Sequence, residues 1–195
     1  MAAYPQQTAA QPPPGVSGGL YTPEERLRRD STRWTLVQGV LAPVQFLVFL
    51  VSLGLVLRYL TTGEGLAWAH ASVVAKTATL YLIMVTGCIW EKVVFGRYLF
   101  APAFYWEDVF SMAVLALHTA YLVALATGAL GDRALMGLAL AAYATYVVNA
   151  TQFLLKLRAA RLQEAAMGTF TAPAPPQDEA HRAAPANALY PEAAR

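Results

Sequence analysis

The sequence predicts an all-α, polytopic membrane protein, a bundle of four transmembrane helices between two disordered tails. Three observations predict it. The chain is 57% hydrophobic and only 13% charged, whereas a soluble domain is nearer a quarter charged. Its apolar residues gather into four runs, each about the ~20 residues needed to cross a hydrocarbon core. At both ends the composition turns to Ala and Pro, with too little apolar surface to pack.

The 195 residues allow one domain. A net charge of +2 gives no reason to expect a nucleic-acid partner. No P-loop, dinucleotide glycine pattern or zinc-ligand spacing occurs. The single cysteine, Cys88, lies in an apolar run and reads as a small buried hydrophobe. No basic region followed by an apolar core opens the chain, so no cleaved signal peptide is expected.

Residues 1–20 read as a disordered tail, residues 21–165 as the membrane domain and residues 166–195 as a second tail. Order is expected to begin at Thr22-Pro23-Glu24-Glu25, a Thr N-cap with Pro at the first helical position and Glu closing a capping box. The short helix that follows carries Arg26, Arg28, Arg29 and Arg33 and is expected along the membrane surface. The first span covers residues 36–57, with Pro43 expected to kink it. Gln38, Gln45 and Ser52 recur every seven residues on one face, which should point into the bundle and hydrogen-bond between helices. Residues 58–72 read as a loop, and residues 73–95 as the second span, with Lys76 expected to snorkel to the interface. The third span covers 107–128 and the fourth 134–155. Tyr143, Tyr146, Asn149 and Gln152 form a slowly turning polar stripe on the fourth.

Four spans put the N-terminal segment, the middle loop and the C-terminal segment on one side. Near the membrane that side carries Arg26, Arg28, Arg29, Arg33, Lys92, Arg97, Lys156, Arg158 and Arg161, against Arg58, Lys76 and Arg133 on the other. The positive-inside rule then places both termini in the cytoplasm. Residues 90–106 are then expected at the cytoplasmic face of the membrane as well.

Residues 90–118 concentrate the chemistry. Trp90, Phe95, Tyr98, Phe100, Phe104, Tyr105, Trp106 and Phe110 crowd a stretch that also holds Glu91, Glu107, Asp108 and His118. An aromatic belt accounts for some of these rings but not for the acids among them. Glu107 and His118 are eleven residues apart, which brings them to within ~20° of one face. Ser111 and Tyr121 fall on nearly the same stripe, and Asp108 lies about a quarter turn away. Glu91, at the facing end of the second span, can meet either acid across the loop. Two carboxyls held together in low dielectric do not both ionise easily, so one is expected to keep its proton, leaving a general acid beside a general base. The bland alternatives are headgroup pairing for Glu91 and helix-dipole placement for Glu107 and Asp108. His118 is either a satisfied buried histidine or an axial ligand to a metal inside a bound macrocycle.

Several runs carry a resemblance. They are Tyr21-Thr22-Pro23-Glu24-Glu25-Arg26, Trp34-Thr35-Leu36-Val37-Gln38-Gly39-Val40-Leu41-Ala42-Pro43 and Ile89-Trp90-Glu91-Lys92-Val93-Val94-Phe95-Gly96. Phe100-Ala101-Pro102-Ala103-Phe104, Trp106-Glu107-Asp108-Val109-Phe110-Ser111 and Leu117-His118-Thr119-Ala120-Tyr121 complete them. Together they resemble the 2-vinyl bacteriochlorophyllide hydratase (BchF) family over residues 21–162. The resemblance implies a hydro-lyase of bacteriochlorophyll biosynthesis that adds water to the 3-vinyl group of a chlorophyllide-type tetrapyrrole, giving a 3-(1-hydroxyethyl) group. It implies no cofactor, since hydration changes no net redox state and the magnesium belongs to the substrate. It brings no catalytic set, so the candidates rest on the residues themselves. Glu91 or Glu107 is the candidate proton donor, with Asp108 or the other glutamate orienting water. Trp90, Phe104, Tyr105 and Trp106 are candidates to line a flat slot. His118 would ligate the magnesium or hydrogen-bond a ring substituent, with Ser111 and Tyr121 beside it. The competing readings are a non-enzymatic pigment carrier or assembly factor and a plain structural subunit. Neighbouring pathway enzymes or a second copy of the chain remain open as partners beside the bilayer.

Overall fold

The computed structural model describes residues 20–170, with side-chain placement at 163, 164 and 166–170 left aside. Residues 1–19 and 171–195, where most of the expected tails fall, lie outside the described residues. The described chain is helical throughout: α1 Pro23–Ser31, α2 Arg33–Thr62, α3 Leu66–Phe95, α4 Tyr105–Thr127 and α5 Asp132–Phe170. α2 to α5 each contain a segment long and apolar enough to cross a membrane. Within such a bundle each backbone amide must find its partner inside the chain, which is why these runs become helices.

α1 starts as its sequence dictates. The Thr22 side chain accepts from the Glu25 amide, and the Glu25 carboxylate accepts from the Thr22 amide at 2.8 Å. Thr32 is extended and separates α1 from α2. α2 continues as helix through Pro43.

The α2–α3 connection is far shorter than the expected loop over 58–72. α2 runs on to Thr62 and α3 begins at Leu66. Thr61 and Thr62 look like loop residues, but their hydroxyls bond back to the carbonyls of Leu57 and Arg58 and stay helical. Gly63 and Gly65, at φ 77° and 82°, complete the reversal, a conformation open to glycine at little cost. α5 likewise extends beyond the expected end of the fourth span, through Phe170.

α2 packs along α3 and α4 along α5, whereas α3 and α4 touch far less. The core between them holds Phe49, Val56, Val73, Leu80, Val114, Tyr121, Met136, Tyr143 and Tyr146. The outward faces expose Leu36, Leu47, Val51, Val85, Val123 and Leu154, as lipid-facing residues should be.

The expected polar faces do turn inward. Gln45 and Ser52 are buried, and Gln38 donates to the Thr86 hydroxyl at 2.8 Å. Ser52 joins Ser72 and Tyr143. Tyr143, Tyr146 and Asn149 are buried, with Gln152 half-buried. Lys76 corrects an expectation. Its side chain does not snorkel but is fully buried, with Nζ 3.7 Å from the centre of the Tyr146 ring. It shares the inward face of α3 with Val73, Thr77 and Leu80, so its stem leans on α5 and not along lipid.

Candidate functional site: a buried acid pair

At the end of the bundle that carries α1, α3 stops at Phe95 and α4 starts at Tyr105. The nine residues between them fold back over the junction. Phe100 sits at φ 59°, an outlying conformation for a bulky residue. It is held there by its amide, which donates to Asp108 Oδ2 at 2.7 Å. The next amide, from buried Ala101, reaches Glu91 Oε2 at 3.4 Å. The Glu91 and Asp108 carboxyls lie against one another within hydrogen-bonding reach. Both are almost fully buried, at 6% and 4% exposure. Across the loop, then, Glu91 meets Asp108.

Glu107 is placed differently. Its Oε2 is 2.5 Å from Nζ of Lys156 on α5, a part-buried ion pair between residues far apart in sequence. The Lys156 ammonium also sits 5.1 Å from the centre of the Phe104 ring.

The aromatic candidates divide. Trp90 and Phe104 pack edge to face at 5.7 Å, and both pack on Phe95. Phe153 stacks on Phe104, and Tyr21 stacks on Phe95 at 5.8 Å. The Trp90 indole donates to the Thr35 hydroxyl at 2.9 Å, which orients it. Tyr105 and Trp106 instead turn outward, packed on each other, with Trp106 66% exposed. The inner rings therefore form a filled cluster beside the acids. A pocket of 420 Å³ adjoins it, lined by Leu20, Glu25, Phe95, Pro102, Ala103 and Lys156.

The inward stripe of α4 carries Glu107, Asp108, Ser111, Val114, His118 and Tyr121, all buried. His118 Nδ1 donates to the Val114 carbonyl at 2.8 Å, which leaves Nε2 with a free lone pair inside the bundle. Eleven residues along a helix is about 16 Å, so His118 lies well away from the acids. Tyr121 bonds His70 at 2.7 Å, and the other nitrogen of His70 faces Asp132. Ser111 accepts from Asn149 at 2.9 Å. Among the described residues no group of three or more His, Cys, Asp or Glu side chains is placed to hold a metal.

Sequence reasoning missed the partners of these groups. Lys156 continues the stripe of α5 one turn beyond Gln152, a signal that could have suggested it. The amides of Phe100 and Ala101 and the contact of His70 with Tyr121 have no such signal.

Fold and site define a class, a four-helix membrane protein with two carboxyls confined together at one end of the bundle. Comparison with known proteins narrows it. The 2-vinyl bacteriochlorophyllide hydratase family matches residues 21–159. A protein of that name from Cereibacter sphaeroides is 73% identical over 143 residues, covering 73% of this chain and 89% of the relative. Another of that name, from Rhodobacter capsulatus, is 69% identical over 146 residues, covering 75% and 85%. No solved structure matches the chain. The chain belongs to the 2-vinyl bacteriochlorophyllide hydratase family.

Proposed function

We propose that this chain adds water to the ring vinyl group of a chlorophyllide-type tetrapyrrole, and that Glu91 and Asp108 form its protonation centre. Membership of the family makes it a hydro-lyase of bacteriochlorophyll biosynthesis. The observation that carries the assignment within the chain is the placement of two buried carboxyls against one another.

The reaction needs a donor and an acceptor at one place. In this reading Glu91 delivers its proton to the terminal vinyl carbon, whose π pair forms the new C–H bond. The inner carbon becomes a cation delocalised over the macrocycle. Water attacks that carbon through oxygen, and Asp108 takes the proton released, leaving a hydroxyl. A hydrogen bond between the two carboxyls lets that proton return to Glu91, so the pair resets without an outside acid. The amides of Phe100 and Ala101 hold the two carboxyls in place.

Glu91 is preferred to Glu107 because Lys156 holds Glu107 as a paired carboxylate. The pocket beside Phe95 and Lys156 is where we place the ring bearing the vinyl group, against the cluster of Trp90 and Phe104. Tyr105 and Trp106 take the role of membrane-interface anchors. His118 is too far along α4 to ligate the magnesium of a ring whose vinyl group lies at the acids. No nicotinamide or flavin enters, and magnesium arrives with the substrate. The basic segments beside the acid pair favour a cytoplasmic position for this end and both termini.

Glu91→Gln tests the assignment. Hydration should fall by about 10²- to 10⁴-fold, while pigment binding, followed by its red absorption band, persists. Wild-type turnover in that variant would remove Glu91 from the chemistry. Bound pigment without product from the wild type would favour a carrier.

A further inference from the structure

The bundle interior holds polar atoms that take part in none of its hydrogen bonds. Gln45 Oε1, Lys76 Nζ, His118 Nε2, Asn149 Oδ1 and Gln152 Oε1 are buried without a hydrogen-bond partner. Gln45, Lys76, His118 and Asn149 are themselves at least nine-tenths buried, and the set draws on α2, α3, α4 and α5 alike. Each such atom has given up its hydrogen bond to water without a replacement. Lipid cannot answer it either. Groups this costly inside a membrane bundle mark a site.

Their contacts place them in one column. Asn149 donates to Ser111, which is one turn along α4 from Asp108. Gln152 lies one turn from Asn149, toward Lys156 and Glu107. Tyr146 lies one turn the other way and carries the Lys76 ammonium on its face. Lys76 lies within electrostatic reach of His118, whose ring packs on Tyr143. Gln45 precedes by one turn Phe49, which packs on Tyr143 and Tyr146. The column therefore runs from the acid pair to His118, over about 15 Å.

Its chemistry suits a small amphoteric occupant. The ammonium donates, whereas the amide oxygens and the imidazole lone pair accept. Asn149 and Gln152 lie one helical turn apart on α5, roughly 5 Å, a gap that one molecule bridges with two hydrogen bonds of about 2.8 Å. A macrocycle does not fit among these residues, since Phe49 packs directly on Tyr143 and Tyr146. Neither the 420 Å³ pocket nor the 620 Å³ groove on the outer face of α4 is lined by these residues. Loop residues 96–104, meanwhile, cover the acids at the end of the bundle.

We propose that this column binds water and delivers the reacting molecule to the acid pair from inside the bundle, with Ser111 and Asn149 as the last step before Asp108. The inference rests on the reading that Glu91 and Asp108 carry the chemistry. It adds Gln45, Lys76, His118 and Asn149 as water-positioning residues.

The test is radiolytic hydroxyl-radical footprinting of the full chain in lipid nanodiscs, read by mass spectrometry and paired with kinetics. In the wild type, His118, Tyr143 and Tyr146 should be oxidised well above lipid-facing Leu154, despite their burial. Gln45→Leu should lower that labelling at least several-fold and lower kcat at least tenfold. KM for the pigment should stay within twofold and Tm should be unchanged or higher, because an unanswered polar group has been removed. Lys76→Met should behave in the same way. Interior side chains labelled no faster than Leu154 would overturn the proposal, as would unchanged kcat in both variants. Loss of pigment affinity in them would overturn it too, by making the column a pigment subsite. Footprinting needs no turnover, so an inactive Glu91→Gln protein still reports on the column, and the acid pair can fail without it.

Discussion

The acid pair and the bundle interior are both polar regions inside an apolar protein, and they are built in opposite ways. At the acid pair every charge-bearing group has an answer: Asp108 holds the Phe100 amide, Glu91 faces the Ala101 amide, and Glu107 is bound to Lys156. In the interior, polar atoms from all four long helices stand without one. A satisfied network is rigid and fixes where a proton can sit. An unsatisfied one is costly in the empty fold and gains only when something binds. The first is what proton transfer requires, and the second is what a site for a passing reactant requires.

This contrast can be broken most directly at its satisfied end. Asp108→Ala strands the Phe100 amide in a conformation that only the carboxylate explains. It should abolish turnover and cost about 1–3 kcal/mol, read as a lowered Tm in detergent. Retained stability would mean the loop is held by something else. Phe104→Ala, at a residue 2% exposed among Trp90, Phe95 and Phe153, should cost about 3 kcal/mol or more. Its defect should be in folded yield and not in kcat of the folded fraction. Glu107→Gln sharpens the difference between the two glutamates. It weakens the pair with Lys156, so stability should drop, but hydration should change by no more than a few-fold. A loss as deep as that expected for Glu91→Gln would make Glu107 the donor. The smallest effect is expected at Trp106→Ala, exposed on the outer face, where stability should move by less than about 0.5 kcal/mol and pigment affinity should hold. A large affinity loss there would return Trp106 to the pigment site.

The sites of disagreement between sequence and structure are informative. Lys76 was expected at the interface because a lone lysine near a span end ordinarily reaches for headgroups. Nothing local to α3 says that the Tyr146 ring of α5 lies opposite it. Thr61 and Thr62 fall within the expected loop because hydroxyls and glycines usually mark turns. The hydroxyls instead close on their own helix, which leaves only the two glycines to turn the chain. The stripe through Glu107, Ser111, His118 and Tyr121 was legible, because its members share one helix and periodicity alone sets their common face.

Composition and periodicity alone dictate that this chain is a four-span helical bundle, where α1 begins and which faces turn inward. A bilayer leaves the backbone no choice but to satisfy itself, so apolar runs of this length must become helices. The runs around residues 21–43 and 89–121 also suffice to mark the family. Packing settles the rest: that Glu91 meets Asp108 while Glu107 is claimed by Lys156, that the inner rings fill their own cluster, and that Lys76 and His118 face one interior. Helical periodicity sets the angle of a side chain about its own axis. It carries no information about which neighbouring helix stands across from it, and that neighbour decides whether a carboxyl is paired with an ammonium or confined with another acid.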